Sequence, residues 1–287
     1  MLKSLTRKRS FLAAFLLLPS AFWLIVFFLI PLLLVFVYSF GQRGTYGGVV
    51  WHLTLKNYIR IFNPLYIKIF IRSVWIAVAT TFFTFLIGYP IAYYIATRPK
   101  KWQGALVIGL MVPFWTNFLV RTYAWILILR NSGLINRSLM SLGIISHPLP
   151  LYGNNLAILI GLVYGWLPDM ILPCYAAIEG LDFSLVEAAR DLYANDVKVF
   201  LKVIFPLTLP GVLAGTMLVF IPSLGAYVTP DLLGGARSVM IGNLIKQQFL
   251  SARDWPFGSA ITFVLMAVML AGTLIYLKLG GESSGLA

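Results

Sequence analysis

The chain has 287 residues, 60% of them hydrophobic and 11% charged, and 22 Lys and Arg against 9 Asp and Glu leave a net charge of +13. A soluble domain carries about 25% charged residues, so this composition excludes a water-soluble enzyme, and its apolar content equally excludes disorder. The basic surplus does not mark a nucleic-acid binder, because multi-span membrane proteins use Lys and Arg to fix their orientation.

Stretches free of Asp, Glu, Lys and Arg cover residues 10–42, 73–97, 102–120, 138–168, 203–230 and 255–277. A helix needs about 20 apolar residues to cross a bilayer, and the predicted spans are 11–40, 73–97, 102–120, 156–178, 203–228 and 256–278. The first follows Lys3, Arg7, Lys8 and Arg9 and resembles a secretory leader. Its apolar stretch is about twice a leader's length and no A-x-A site precedes Gly41, so it reads as a retained helix with Pro19 and Pro31 as bend points. Residues 133–145 have helical spacing and predict a short interfacial helix. The fourth stretch opens on loop-type residues, Ser146, His147, Pro148, Pro150, Gly153, Asn154 and Asn155, which moves its span to 156–178 and places Asp169 inside it.

The basic tail 1–10 and the turn holding Arg98, Lys100 and Lys101 place both termini, including the tail 279–287, in the cytoplasm. The outer segments 41–72, 121–155 and 229–255 then carry +5, +3 and +1, and the cytoplasmic loop 179–202 carries −2. The chemistry of an enzyme is missing. Cys174 is the only cysteine, His52 and His147 form no HExxH pair, and neither CxxC nor a GxxxxGK[ST] phosphate loop occurs. The chain therefore reads as a transporter without a metal site, whose ATP, if ATP drives it, is hydrolysed by another chain.

In the loop 179–202, Ser184 and Glu187 fit a capping box that starts a helix, with Leu185, Ala188, Ala189 and Leu192 on one apolar face. Glu187-Ala188-Ala189, with Ile204, Pro206 and Pro210 downstream between the fourth and fifth spans, resembles the EAA loop of ABC-importer permeases. The resemblance implies an all-α integral membrane protein with six transmembrane helices in the type I ABC importer permease fold. It also implies that Glu187, Ala188, Ala189, Arg190, Asp191, Leu192, Tyr193 and Ala194 form the coupling helix that docks on an ATPase subunit. Tyr193 stands where the family usually has glycine. A left-handed backbone there costs a tyrosine about 1–2 kcal/mol, so Asn195 is expected to take the turn instead.

Residues 112–125, 207–211, 225–235, 240–249 and 253–260 further resemble the B-type permease subunit of bacterial spermidine/putrescine importers. This implies a multi-pass protein of the bacterial inner membrane. Its implied partners are a second homologous permease, two ATP-binding subunits that hold ATP and Mg, and a periplasmic polyamine-binding protein; its surroundings are the bilayer, and it takes no nucleic acid and no cofactor of its own. A polycation needs carboxylates for its ammonium groups and aromatic faces between them. Asp169 is an ionisable group inside a span, which by default marks a substrate path or a buried partner. The expected pathway residues are Asp169, Trp166, Tyr164, Trp115, Asn117, Tyr227, Asp231, Asp254 and Trp255. A basic exterior repels a free polycation but suits delivery by an acidic binding protein. Two other readings stand beside this one: a permease for an organic anion, an iron complex or a sugar, and an ion-coupled secondary transporter, which would need more intramembrane carboxylates than Asp169 alone.

Overall fold

The computed structural model describes residues 18–235 and 238–281. The basic tail with Lys3, Arg7, Lys8 and Arg9, the start of the first predicted span, Arg237 and residues 282–287 lie outside the described residues. The chain divides into two compact units, Met1–Asn63 with Ile245–Ala267 and Pro64–Leu244 with Val268–Ala287.

In the first unit, helix α1 (Leu18–Ser39) is apolar along its whole length, and Leu24, Phe27 and Phe28 stay exposed, as suits a helix whose solvent is lipid. Its ladder is irregular just before Pro31. That residue has no N–H for the carbonyl four residues back, and the ladder slips into a π turn over Ile25–Leu29, closed by Ile30 N–H on the Ile25 carbonyl. A two-stranded antiparallel hairpin follows, β1 (Gln42–Arg43) and β2 (Val49–Val50), and then helix α2 (Lys56–Ile61). Asn57 fastens these pieces by donating to the carbonyls of Ser39 (2.9 Å) and Gly41 (2.8 Å).

The second unit is built on three long helices packed on one another: α3 (Pro64–Ala96), α7 (Asn155–Glu179) and α9 (Asp196–Leu224). Their shared core holds Tyr89, Ala92, Met170, Ile171, Cys174, Ile178, Val212 and Val219. Close approach of α9 to α7 depends on Gly211, where a Cβ would meet Ala177 and lie 2.6 Å from the Pro173 carbonyl oxygen. Tyr89 reaches the Thr208 hydroxyl at 2.8 Å, and Thr208 donates to the Ile204 carbonyl, so the tyrosine is the donor between the helices. Helix α9 contains a second π turn, Phe200–Ile204, again ending two residues before a proline, Pro206.

The predicted span 102–120 is not one rod. Helix α4 (Lys100–Met111) tightens to a 3-10 turn at Val112–Trp115, and helix α5 (Phe118–Leu129) restarts after a bend of 81°. Pro113 removes an amide from the ladder. Asn117 then caps the new helix by accepting the Leu119 N–H at 2.8 Å. Among the described residues five helices are long and apolar enough to cross a membrane by themselves, and the bent pair brings the number to six when counted as one span. Short helices α6 (Leu134–Ser141), α8 (Ser184–Asp191) and α10 (Val228–Leu233) lie between them, α11 (Ile241–Leu250) follows, and the last long helix α12 (Trp255–Gly281) extends into the predicted tail 279–287.

Replacing Gly211 with alanine forces a methyl against backbone, and we expect a loss of about 1–3 kcal/mol, read as a lower unfolding midpoint of the detergent-solubilised protein.

Candidate functional site

A cavity of about 490 Å3 forms in the second unit where the start of α5, the middle of α7 and the Gly225–Tyr227 link after α9 converge. Phe118, Leu162, Trp166, Pro222, Tyr227 and Met269 line it. Two expected pathway residues, Trp166 and Tyr227, thus meet across helices that are distant in sequence. Phe118 was not anticipated; it stands one residue after the Asn117 cap, a break visible only once the span is known to bend.

Asp169 lies one helical turn from Trp166 on α7, half-buried, with no ion-pair partner among the described residues. The two prolines of α7 add to it. Pro173 and Pro168 supply no N–H, which frees the carbonyls four residues earlier, those of Asp169 and Tyr164. Asp169 therefore carries, at one level of the span, a carboxylate and a main-chain oxygen that has lost its usual i+4 amide, an arrangement suited to an ammonium group.

Tyr164 faces a different cluster. Its ring stacks on Phe114 at 5.2 Å and meets Trp125 edge-on at 5.5 Å. Into this group reaches Arg121, whose guanidinium carbon lies 5.2 Å from the Phe114 ring, 5.8 Å from Phe118 and 6.0 Å from Tyr164. The Arg121 Nε and Nη1 atoms are buried and have no hydrogen-bond acceptor among the described residues. The fold places this cation in an aromatic box beside the cavity, sharing Phe118 with it.

The other expected residues are held by their own chain. Trp115 is 76% exposed, and Asn117 serves as the α5 cap. Asp231 accepts from Asn243, which also donates to the Tyr227 carbonyl at 2.8 Å and so fixes the turn that carries Tyr227. Asp254 and Trp255 belong to the first unit. Asp254 is 3% exposed, pairs with Arg60 at 2.7 Å and caps α12 through the Phe257 N–H. Arg60 also lies 3.9 Å over the Phe257 ring, and Trp255 packs near Tyr38 and Phe249. Among the described residues, no group of three or more His, Cys, Asp or Glu is placed to hold a metal ion.

The coupling loop folds as a helix with two faces. Val186 is buried with Val199 and Ile204, and Phe183, Ala189 and Ala194 pack against them. Leu185 (47% exposed), Ala188, Leu192 (82%) and Tyr193 (98%) face outward with Glu187, Arg190 and Asp191, so the single apolar face expected from Leu185, Ala188, Ala189 and Leu192 splits between inside and outside. The expected capping box is replaced. Helix α8 begins at Ser184, and the Asp182 carboxylate accepts the Ser184 N–H at 3.0 Å. The expected turn at Asn195 is corrected as well. Tyr193 itself adopts the left-handed conformation, φ 57°, with its N–H on the Arg190 carbonyl and the Ala194 N–H on that of Ala189. This is the Schellman closure normally made by glycine. Asn195 is free for another task and caps the next helix by accepting the Lys198 N–H.

The amide and hydroxyl of Ser184 hold the Asp182 carboxyl below the usual carboxylate range. A depressed pKa gives stability that is complete above the unfolded value, about 3.9, and is lost as pH falls through the folded one. Protection of the Ser184–Val186 amides, measured against their intrinsic exchange rates at each pH, should therefore fall on acidification, and Asp182→Ala should abolish that pH dependence.

Residues 88–279 match the family described as binding-protein-dependent transport system inner membrane component. The spermidine/putrescine transport system permease protein PotB of Haemophilus influenzae is 43% identical over 256 residues, 89% of this chain and 90% of that one. The protein of the same name from Escherichia coli K12 is 42% identical over 88% of this chain and 92% of its own length. Among solved structures, a chain of a bacterial alginate ABC transporter in complex with an alginate pentasaccharide-bound periplasmic protein superposes with a TM-score of 0.75 at 16% identity. That match covers 94% of this chain and 93% of the other, which fixes the fold as that of a type I ABC importer permease. By a family match over most of its length and by these identities, the chain belongs to the inner-membrane permease components of binding-protein-dependent transport systems.

Proposed function

We propose that this chain is the permease subunit of an ATP-driven importer that takes polyamines, spermidine and putrescine among them, from a periplasmic binding protein across the inner membrane. The observation that carries this reading is the 42–43% identity, over nearly the full length of both chains, to permeases named for those two substrates. The geometry suits such a cargo. An aromatic-walled cavity with Trp166 and Tyr227 offers faces to a cationic chain, and Asp169, one turn further along α7, offers a charge partner and a carbonyl that has lost its usual amide.

In the proposed cycle both termini lie in the cytoplasm and a second, similar permease completes the pathway. Two ATPase subunits hold ATP and Mg, and their closure reaches this chain through α8. The exposed Leu185, Ala188, Leu192 and Tyr193 form the contact, while the Val186 face transmits its motion to the base of α9. Opening outward exposes the cavity to the binding protein, and resetting after hydrolysis releases cargo inward. The residual positive charge of the outer segments favours an acidic binding protein that has already enclosed its cargo.

Reconstituted with its permease partner, ATPase and binding protein, the importer should hydrolyse ATP faster when spermidine or putrescine is added. Stimulation by an organic anion or a sugar, with none by polyamines, would overturn the assignment. Asp169→Asn should raise the half-saturating polyamine concentration about tenfold, the equivalent of about 1.4 kcal/mol, and unchanged transport would remove Asp169 from the path. Tyr193 keeps a strained backbone while exposing its whole ring, as a contact residue does. Tyr193→Ala should weaken binding of the ATPase subunit by about thirtyfold, a hot-spot loss of about 2 kcal/mol, without changing membrane insertion.

A further inference from the structure

The turn between α3 and α4 carries three cations in four positions, Arg98, Lys100 and Lys101, and no acidic residue occurs anywhere before Asp169. Among the described residues, none of the three has a carboxylate within ion-pair distance. The turn is nonetheless firmly built. Gln103, 6% exposed, donates to the carbonyls of Ala96 (2.9 Å) and Arg98 (2.8 Å) and accepts from the Tyr175 hydroxyl at 3.3 Å, and the Trp102 N–H donates to the Pro99 carbonyl at 2.8 Å. These bonds hold open a groove of about 410 Å3 lined by Tyr94, Arg98, Pro99, Trp102 and Leu106. Within it the Arg98 guanidinium lies 4.0 Å over the Tyr94 ring. Stacking of this kind occupies the face of the cation and leaves its in-plane N–H fork for an oxyanion.

We propose that this groove binds the phosphate headgroup of an anionic phospholipid. The position favours lipid over a free ion. The groove joins the last turn of one span to the first turn of the next, and Tyr94 and Trp102 are 53% and 57% exposed, as aromatic side chains are at headgroup depth. Pro99, Trp102 and Leu106 give it an apolar wall for glycerol and upper acyl carbons, which a hydrated phosphate would not need. Lys100 and Lys101, both exposed, add attraction to an anionic surface. The groove also adjoins the coupling region: Tyr93, next to Tyr94, packs against Val186, Val199 and Ile204, and Tyr175 ties α7 to Gln103. A bound lipid therefore braces the helix ends that support α8. Its assignment to the cytoplasmic leaflet rests on the orientation proposed above, whereas the binding itself does not.

The test uses the complete importer in nanodiscs of phosphatidylcholine with or without phosphatidylglycerol, followed by native mass spectrometry of retained lipid. The unaltered complex should keep phosphatidylglycerol through delipidation. Arg98→Gln and Trp102→Leu should lose it, Arg98→Lys should keep part, and Arg137→Gln, an exposed cation on α6, should keep it all. Intact assembly of each variant, checked by size-exclusion chromatography, separates lost binding from lost folding. Equal retention by the unaltered and Arg98→Gln complexes overturns the proposal. So does displacement of the lipid by millimolar inorganic phosphate, which assigns the groove to a free anion. Retention that depends on Arg98 only when the ATPase subunits are present assigns it to a protein contact and overturns it too. Lipid retention by a complex that polyamines fail to stimulate would separate this site from the transport reading.

Discussion

A bilayer interior offers no water to a backbone amide or carbonyl, so every interruption of a spanning helix must be answered within the protein. Proline is the interruption this sequence uses most, and each answer has shaped the structure. At Pro31 and Pro206 the ladder slips by one residue and a π turn absorbs the lost donor while the helix continues. At Pro113 the helix stops, turns by 81° and restarts on an asparagine cap. At Pro168 and Pro173 the helix runs on and leaves the carbonyls of Tyr164 and Asp169 without their amides. Continuity, a bend and a pair of carbonyls without their usual amides are three outcomes of one chemical deficit, and the helix that restarts after the bend supplies Phe118 to the cavity wall.

The same scarcity of water governs the charges. Where a partner lies within reach the ion is tied down, as Asp254 is by Arg60 beside the Phe257 ring. Where none exists, aromatic faces substitute: Arg121 among Phe114, Phe118 and Tyr164, and Arg98 on Tyr94. A ring quadrupole softens the desolvation of a guanidinium but leaves its N–H groups unsatisfied. Such cations stay receptive to an oxyanion, whether from a neighbouring subunit or a lipid. Asp169 is the complementary case, a carboxylate inside a span with no cation assigned to it. The distribution of unpaired charge therefore marks where this chain expects something that is not itself.

Helix α8 shows how a local rule can be overruled. Glycine is the easy residue for a Schellman closure, and substituting tyrosine was expected to move the turn to Asn195. The closure stays at Tyr193, because burial of Val186 and Ala189 on one side and of Val199 on the other fixes where α8 must end. Packing of that cluster outweighs about 1–2 kcal/mol of backbone strain. Asn195 is then used for what its side chain does well, capping the following helix.

Length of apolar run, placement of basic turns and the acidic EAA loop are properties of contiguous residues, and from them the sequence by itself determined a helical protein of the inner membrane with several long apolar helices. Hydrophobic periodicity and charge density need no knowledge of neighbours. The bend at Pro113 was not legible in the same way, since a proline permits a kink, a π turn or a break, and the packing around it selects among them. Nor could the sequence say that Asp254 would be consumed by Arg60, 194 residues away, or that Asp231 would hold Asn243. Nor could it bring Phe118, Trp166 and Tyr227 to one cavity. Those facts depend on which helix faces meet, and only tertiary packing, by bringing together residues far apart in the chain, decided which polar groups were satisfied and which were left to act.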